Sequence, residues 1–349
     1  MNTQQDYLSY KENTKYGYAS GRLRVMETRL LNRNAIMRLL EADSAHETMR
    51  MISEGDYANA FSGITQAIDF DTGLKLELER VYKLIDELSL DPELTGIFRA
   101  KWDFHNLKVL LKASYLAESK LSFDEALSSL GSIPIETLRL AVDPNEEKKE
   151  GILPDYIQSA LEDARIQYDS TQNPQMIDII IDYHSHSFMF EQASKYKNKF
   201  LCGYFEAIAD LNNIRNFIRI KMLNENIRLL DAVLLPFGNI ERKVFLQHFD
   251  DSVESLGSVL NNTSYGELVI EAIRRWSDEN SLSTFEKLAD NYLVNYLKPA
   301  KYIVFGIEPL VAYLLAKEHE IKVLRIIMIG KINDVPTEII NERLRETYV

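Results

Sequence analysis

Apolar positions in this chain step by three and four, and alternation by two is scarce. From Leu310 one stripe runs through Leu314, Ile321, Leu324 and Met328, the spacing of a single helical face. Gly306-Ile307-Glu308-Pro309 reads as its start, since proline in a first helical turn forfeits no hydrogen bond. Gly330 reads as its stop, and a helix from Glu308 to Ile329 would be about 33 Å long. Phe200 to Leu223 behaves alike, through Leu201, Phe205, Ile208, Leu211, Ile214 and Ile218. A third long helix is predicted over Leu94 to Leu116. "IDIIID" (Ile177–Asp182) has a strand-like look, but it follows Asn173-Pro174 and runs on into "YHSHSFMFEQA", which suits a helix better. The fold class expected is all-α.

The same outline recurs at one spacing. "DFHNLKVLLKA" opens at Asp103, "DLNNIRNFIRI" at Asp210 and "KEHEIKVLRII" at Lys317, each 107 residues after the last. Between the first two copies Asp103 matches Asp210, Asn106 matches Asn213, Lys108 matches Arg215, and Lys112 matches Arg219. The offset also carries Gly131-Ser132-Ile133 onto Gly238-Asn239-Ile240. The third copy is more worn: Ile321, Lys322 and Leu324 keep the register, but Arg325 falls where an apolar residue stood. A repeat this long implies modules that cover one another's apolar faces. Three are expected, at about 1–115, 116–222 and 223–349, forming one continuous structural unit.

Composition narrows the function. With 349 residues, 46% of them apolar and 27% charged, the chain reads as a globular protein with a substantial core. Its net charge of −13 argues against general nucleic-acid binding. One cysteine, Cys202, forms no internal disulfide, and nothing points to an oxidising compartment. The opening "MNTQQDYLSYKENTKYGYASG" has no apolar run of signal length. The greasiest run, Ile303 to Ala316, is broken by Glu308 and Pro309 and is too short to span a bilayer. Charge is uneven. Residues 10–38 hold seven Lys/Arg against Glu12 and Glu27, whereas 121–182 hold thirteen Asp/Glu against four Lys/Arg.

Candidate chemistry is sparse. His105, Asn212 and His319 share one column of the 107-residue repeat, which reads as a polar helix edge. His184 and His186 are two apart, and such residues do not face each other on a helix. Cys202 lies on an apolar face and reads as core. Asp71-Thr72-Gly73 lacks the β framework of an aspartic protease. A calcium loop from Asp69 would need a glutamate where Arg80 stands. No phosphate-cradling G-x-x-x-x-G-K-[ST] is present. No catalytic, cofactor-binding or metal residue is expected, and no cofactor.

Three segments carry a family resemblance: "KYGYASGRLR" (Lys15–Arg24), "GIEPLVAYLLAKEHEIKVLRIIMIGKIN" (Gly306–Asn333) and "ERLRETYV" (Glu342–Val349). Together they resemble the C subunit of prokaryotic V-type (A/V-type) ATPases, counterpart of the d subunit of the vacuolar ATPase, over essentially the whole chain. The resemblance implies a helical funnel or socket of three similar modules about a pseudo-threefold axis. It implies a non-catalytic rotor subunit that joins the central stalk to the membrane proteolipid ring, so that torque links ATP hydrolysis or synthesis to H+ or Na+ translocation. The partners implied are central-stalk subunits and the cytoplasmic loops of the ring, with no nucleotide, nucleic acid or membrane span. The place implied is peripheral, on the cytoplasmic side of the membrane.

Two further expectations stand beside it. The basic stretch 10–38 would meet an acidic partner surface, so Arg22 and Arg24 changed to Glu would weaken assembly. The rival function is a helical-repeat adaptor of an unrelated complex; an enzyme with a scattered site is a third.

Overall fold

The computed structural model describes residues 14–115, 123–143, 151–279 and 281–349. Every regular element among them is helical. The chain divides into two units: the first joins Met1–Leu90 with Val253–Val349, and the second is Asp91–Ser252.

The first unit begins with α1 (Gly17–Glu27), α2 (Arg33–Glu41), α3 (Ala45–Ser53), α4 (Ala58–Phe61) and α5 (Phe70–Leu88). Asn32 and Ser44 start α2 and α3 by accepting the Ala35 and Glu47 amides, which would otherwise lack partners at a helix start. The second unit holds α6 (Pro92–Tyr115), α7 (Ile135–Val142), α8 (Asp155–Thr171), α9 (Pro174–Lys195), α10 (Lys199–Met222), α11 (Ile227–Val233) and α12 (Arg242–Gln247). The first unit resumes with α13 (Val253–Leu260), α14 (Gly266–Glu279), α15 (Ser283–Leu297), α16 (Glu308–Ile332) and α17 (Thr337–Arg343).

The three long helices match the sequence pattern, and "IDIIID" lies inside α9, capped by Asn173 with Pro174 in its first turn. Leu116 lies outside the described residues. One stop signal is corrected. α16 runs past Gly330 to Ile332, and the chain turns at Asp334, whose φ is 52°. Gly330 is small because Ile340 of α17 packs on it; a Cβ there would sit 2.6 Å from the Ile340 Cδ1.

Each unit has its own core. In the second, Phe104, Leu107, Leu111, Leu138, Ile157, Leu161, Ile177 and Ile181 interlock between α6, α7, α8 and α9. In the first, α16 is the central post, contacting α1, α2, α3, α5, α15 and α17. A helix covered on every side must be apolar on every side, and α16 is so from Leu310 to Met328, apart from a few polar groups described below. The segments that carry the family resemblance meet here. Leu23 is fully buried on α1. Arg24 donates to the Ala300 and Ile303 carbonyls at 2.7 and 2.6 Å. Tyr348, buried, donates to Glu27 at 3.0 Å.

Candidate functional site: carboxylate clamps on the long helices

α6 and α10 each carry an aspartate and an asparagine one turn apart on a buried face. Asn106 clamps Ser128 twice: its amide nitrogen donates to the Ser128 carbonyl at 2.7 Å, and its oxygen accepts the Ser128 amide at 2.8 Å. Asn213 does the same to Leu235, at 2.9 and 2.7 Å. Asp103 Oδ1 accepts the Ile133 amide at 2.9 Å. Asp210 Oδ1 accepts the Ile240 amide at 2.9 Å, and its Oδ2 the Asn239 amide at 3.0 Å. Returning chain thereby has its buried amides satisfied. Gly131 and Gly238 are required by this contact, since a Cβ at either would collide with the Oδ1 of Asp103 or Asp210.

The third copy sits three residues away from the 107-residue register. α10 ends at Met222 with Asn224 left-handed, and the Glu225 amide donates to Ile220; α16 ends at Ile332 with Asp334 left-handed, and the Val335 amide donates to Gly330. The matching spacing is 110, which also lays α11 on α17 and buried Leu230 on buried Ile340. In this register Glu320 takes the place of Asp210, and Arg325 that of Arg215. Arg325 is therefore not a worn apolar position. His319 leaves the column of His105 and Asn212. A slip of three turns a helix by about 300°, so apolar columns nearly coincide under both spacings. Glu320 keeps the clamp's chemistry: its Oε2 accepts the amide of Leu31, from the start of the first unit.

Around Glu320 lies a buried ionic network. Lys317 Nζ bonds Glu320 Oε1 at 2.7 Å and lies 3.4 Å from Glu77 Oε1. Arg80 holds Glu77 from the other side with bonds of 2.8 and 2.7 Å. Tyr57 donates to Glu320 at 2.7 Å, and Lys317 sits 4.4 Å above the Tyr57 ring. Burial alone would push the Lys317 ammonium down, but Glu320, Tyr313 and Glu77 hold it above its ordinary value. Burial, followed by Glu320, drives the Tyr57 phenol well up.

A second set of pairs repeats with the clamps. Lys108 and Lys112 on α6 bond Asp182 and Asp178 of α9, and Arg325 on α16 bonds Asp71 of α5 at 2.6 Å. Asp71 and Asp178 are themselves 107 apart. Arg215, in the same column of α10, finds no carboxylate among the described residues; it lines a cavity of ≈ 460 Å³ between α9, α10 and α11. His186 lines it too. It is 3% exposed, neither ring nitrogen has a well-formed hydrogen bond, and burial lowers its pKa to about 4.

The other candidate residues have local partners. Asp71 of the "DTG" stretch is the partner of Arg325. His184 pairs with Asp163 at 2.8 Å, His105 with the Ala126 carbonyl at 2.8 Å, and His319 with the Glu346 carbonyl at 2.7 Å. Cys202 is half-buried. No group of three or more His, Cys, Asp or Glu among the described residues could hold a metal ion. In the basic stretch Lys11 lies outside the described residues, Arg22 is exposed, and Arg24 is turned inward onto Glu27 at 2.6 Å. The acidic stretch includes 144–150, also outside them. The clamps were visible in the sequence only as matched columns; the Lys317–Glu320 network and His186 gave no signal beyond polar residues on apolar faces.

Comparison with known proteins agrees with this architecture. The profile of the ATP synthase (C/AC39) subunit family matches residues 19–343. The chain is 27% identical to the C subunit of the V-type sodium ATPase of Enterococcus hirae, covering 93% of this chain and 97% of that one. It is 25% identical to the C subunit of the A-type ATP synthase of Methanocaldococcus jannaschii, over 94% and 86%. The corresponding protein of Methanothermobacter thermautotrophicus is 24% identical over 90% and 84%. No helix among the described residues is long and apolar enough to cross a membrane. A helical chain with repeated clamps, matched almost end to end, belongs to the C/AC39 family of V-type and A-type ATP synthase subunits.

Proposed function

We propose that this chain is a non-catalytic rotor subunit, which joins the central stalk to the proteolipid ring of its ATPase and passes torque between them. ATP turnover in the soluble head and H+ or Na+ passage at the membrane would then be linked through a rigid body. The three modules, 1–115, 116–222 and 223–349, would form a pseudo-threefold funnel that accepts the stalk tip and rests on the cytoplasmic loops of the ring. The protein would sit peripherally, on the cytoplasmic side.

The observation that carries this reading is the repetition of one buried device, Asp103, Asp210 and Glu320, at equivalent turns of three long helices. Torque transfer needs long helices fixed at their flanking loops, and densely packed interiors resist shear. It needs no reactive group. The Enterococcus hirae relative is described as part of a sodium ATPase, so Na+ stands beside H+ as the cargo. Family membership favours this reading over an adaptor of an unrelated complex.

The test is to mix the purified chain with the stalk subunits and with detergent-solubilised ring, then separate the complexes by size. A ternary complex is expected. A chain that joins neither partner would exclude the proposal.

A further inference from the structure

Beside α2, α15 and the segment after α17 lies a cavity of ≈ 440 Å³ with an unusual lining. Four cations face it: Arg33, Lys287, Lys298 and Arg345. Among the described residues one acidic side chain, Glu346, belongs to the lining, and it already holds Lys298 at 3.3 Å; Val349 also touches the recess. Arg345 is braced from behind by Asp290 at 3.0 Å, and Lys287 donates to the Glu342 carbonyl at 2.7 Å. Arg33, at the first position of α2, is exposed and makes no hydrogen bond or ion pair among the described residues. In a chain of net charge −13, four cations around one recess exceed the two carboxylates, Glu346 and Asp290, that pair with them.

The electrostatics point the same way. The Lys287 ammonium is pushed down, first by burial, then by Arg345 and Arg33; Glu342 works in the opposite sense, and Arg275 adds to the repulsion. Like charges held together around a recess favour an anion that they can share. Guanidinium groups supply forked donors for tetrahedral oxyanions, and lysine a movable point charge. The volume exceeds what a halide needs.

We infer that the recess lined by Arg33, Lys287, Lys298 and Arg345 binds a phosphate-bearing anion, tying α2, α15 and the segment after α17 together. The chemistry is shared by free phosphates and by phospholipid headgroups. The inference rests on the recess alone and does not depend on the rotor reading.

The test uses the full chain and pyrophosphate, titrated by calorimetry at fixed ionic strength. Saturable one-to-one binding is expected, weakened at least about tenfold by Arg33→Ala and by Lys287→Met. The exposed Arg228→Ala in the other unit should leave it unchanged, and all three variants should keep the parent's helical circular dichroism. A second arm uses vesicles with and without a phosphatidylinositol phosphate. Binding to those vesicles, lost in the same two variants and competed by pyrophosphate, assigns the anion to a headgroup; pyrophosphate binding alone assigns it to a free phosphate. Absence of both, binding that the two variants leave intact, or displacement only by an acidic peptide, would overturn the inference.

Discussion

The Lys317 ammonium and the Glu320 carboxylate meet at 2.7 Å, one turn apart on α16, with side chains only 1% and 6% exposed. Taking two charges out of water is expensive, and their mutual attraction repays it only where every remaining lone pair and proton is used. Here the Leu31 amide and the Tyr57 hydroxyl complete Glu320, and Glu77 with Arg80 completes the surroundings of Lys317. Lys317→Met would leave Glu320 without its countercharge, and Glu320→Gln would leave Lys317 only Glu77, which Arg80 already shares. Each is expected to cost about 3–5 kcal/mol in urea unfolding. The double variant should cost clearly less than the sum, because no uncompensated charge of that pair remains. Additive losses would show that the pair does not act as one.

The clamp glycines give an independent check. Gly238→Ala drives a methyl into Asp210 Oδ1. A loss of about 1–3 kcal/mol is expected. Combining it with Asp210→Ala should produce less than the summed loss, since the colliding atom is gone. Strict additivity would mean that Gly238 is not small on account of Asp210.

Acid titration should separate two buried groups of the second unit. Burial raises the Asp103 carboxyl to about 6 and lowers the His186 imidazole to about 4. An aspartate raised in the folded state binds its proton more tightly there, so its contribution falls as pH rises from about 4 to 6. A histidine lowered in the folded state sheds its proton there, so its contribution falls as pH drops from about 6.5 to 4. The two slopes oppose each other across about pH 4–6. Relative to the parent, Asp103→Asn should therefore be the more acid-sensitive variant, and His186→Gln the less. Each slope difference is at most about 1.4 kcal/mol per pH unit. Unfolding free energies at several pH values read this directly; parallel profiles would refute the assignment.

The basic N-terminal stretch divides into two kinds of arginine. Arg22 is exposed, whereas Arg24 anchors α1 to the Ala300 and Ile303 carbonyls. Arg22→Glu should leave Tm within about 1 °C, as an exposed substitution does, while weakening salt-sensitive association with an acidic partner. Arg24→Glu should lower Tm on its own, by leaving buried carbonyls unpaired. If Arg22→Glu binds the stalk and ring as the parent does, that surface plays no part in assembly.

The sequence disclosed the helices well, because an apolar stripe at helical spacing has one reading over twenty residues. It disclosed the first repeat as well, since Asp103, Asn106 and the glycine turn match Asp210, Asn213 and theirs without a gap. The third register was misplaced by three residues for a geometric reason. Helical columns survive such a slip, and only the turns at Asn224 and Asp334 fix the phase. The buried network was hidden for another reason. Lys317, Glu318, His319 and Glu320 look like a solvated patch when read in order. Only the arrival of Leu31, Tyr57 and Glu77 from distant parts of the first unit makes Lys317 and Glu320 interior. Likewise nothing in "RLRVME" showed that Arg24 would face inward while Arg22 faced out.

The most direct measurement compares ATP hydrolysis with ATP-driven ion transport in vesicles carrying the complex, reconstituted with and without this chain. Without it, the soluble head should still hydrolyse ATP while ion transport is lost; adding the purified chain back should restore transport. Transport that continues undiminished without the chain, or ATP turnover by the isolated chain itself, would contradict the view that it works as a rigid coupling piece.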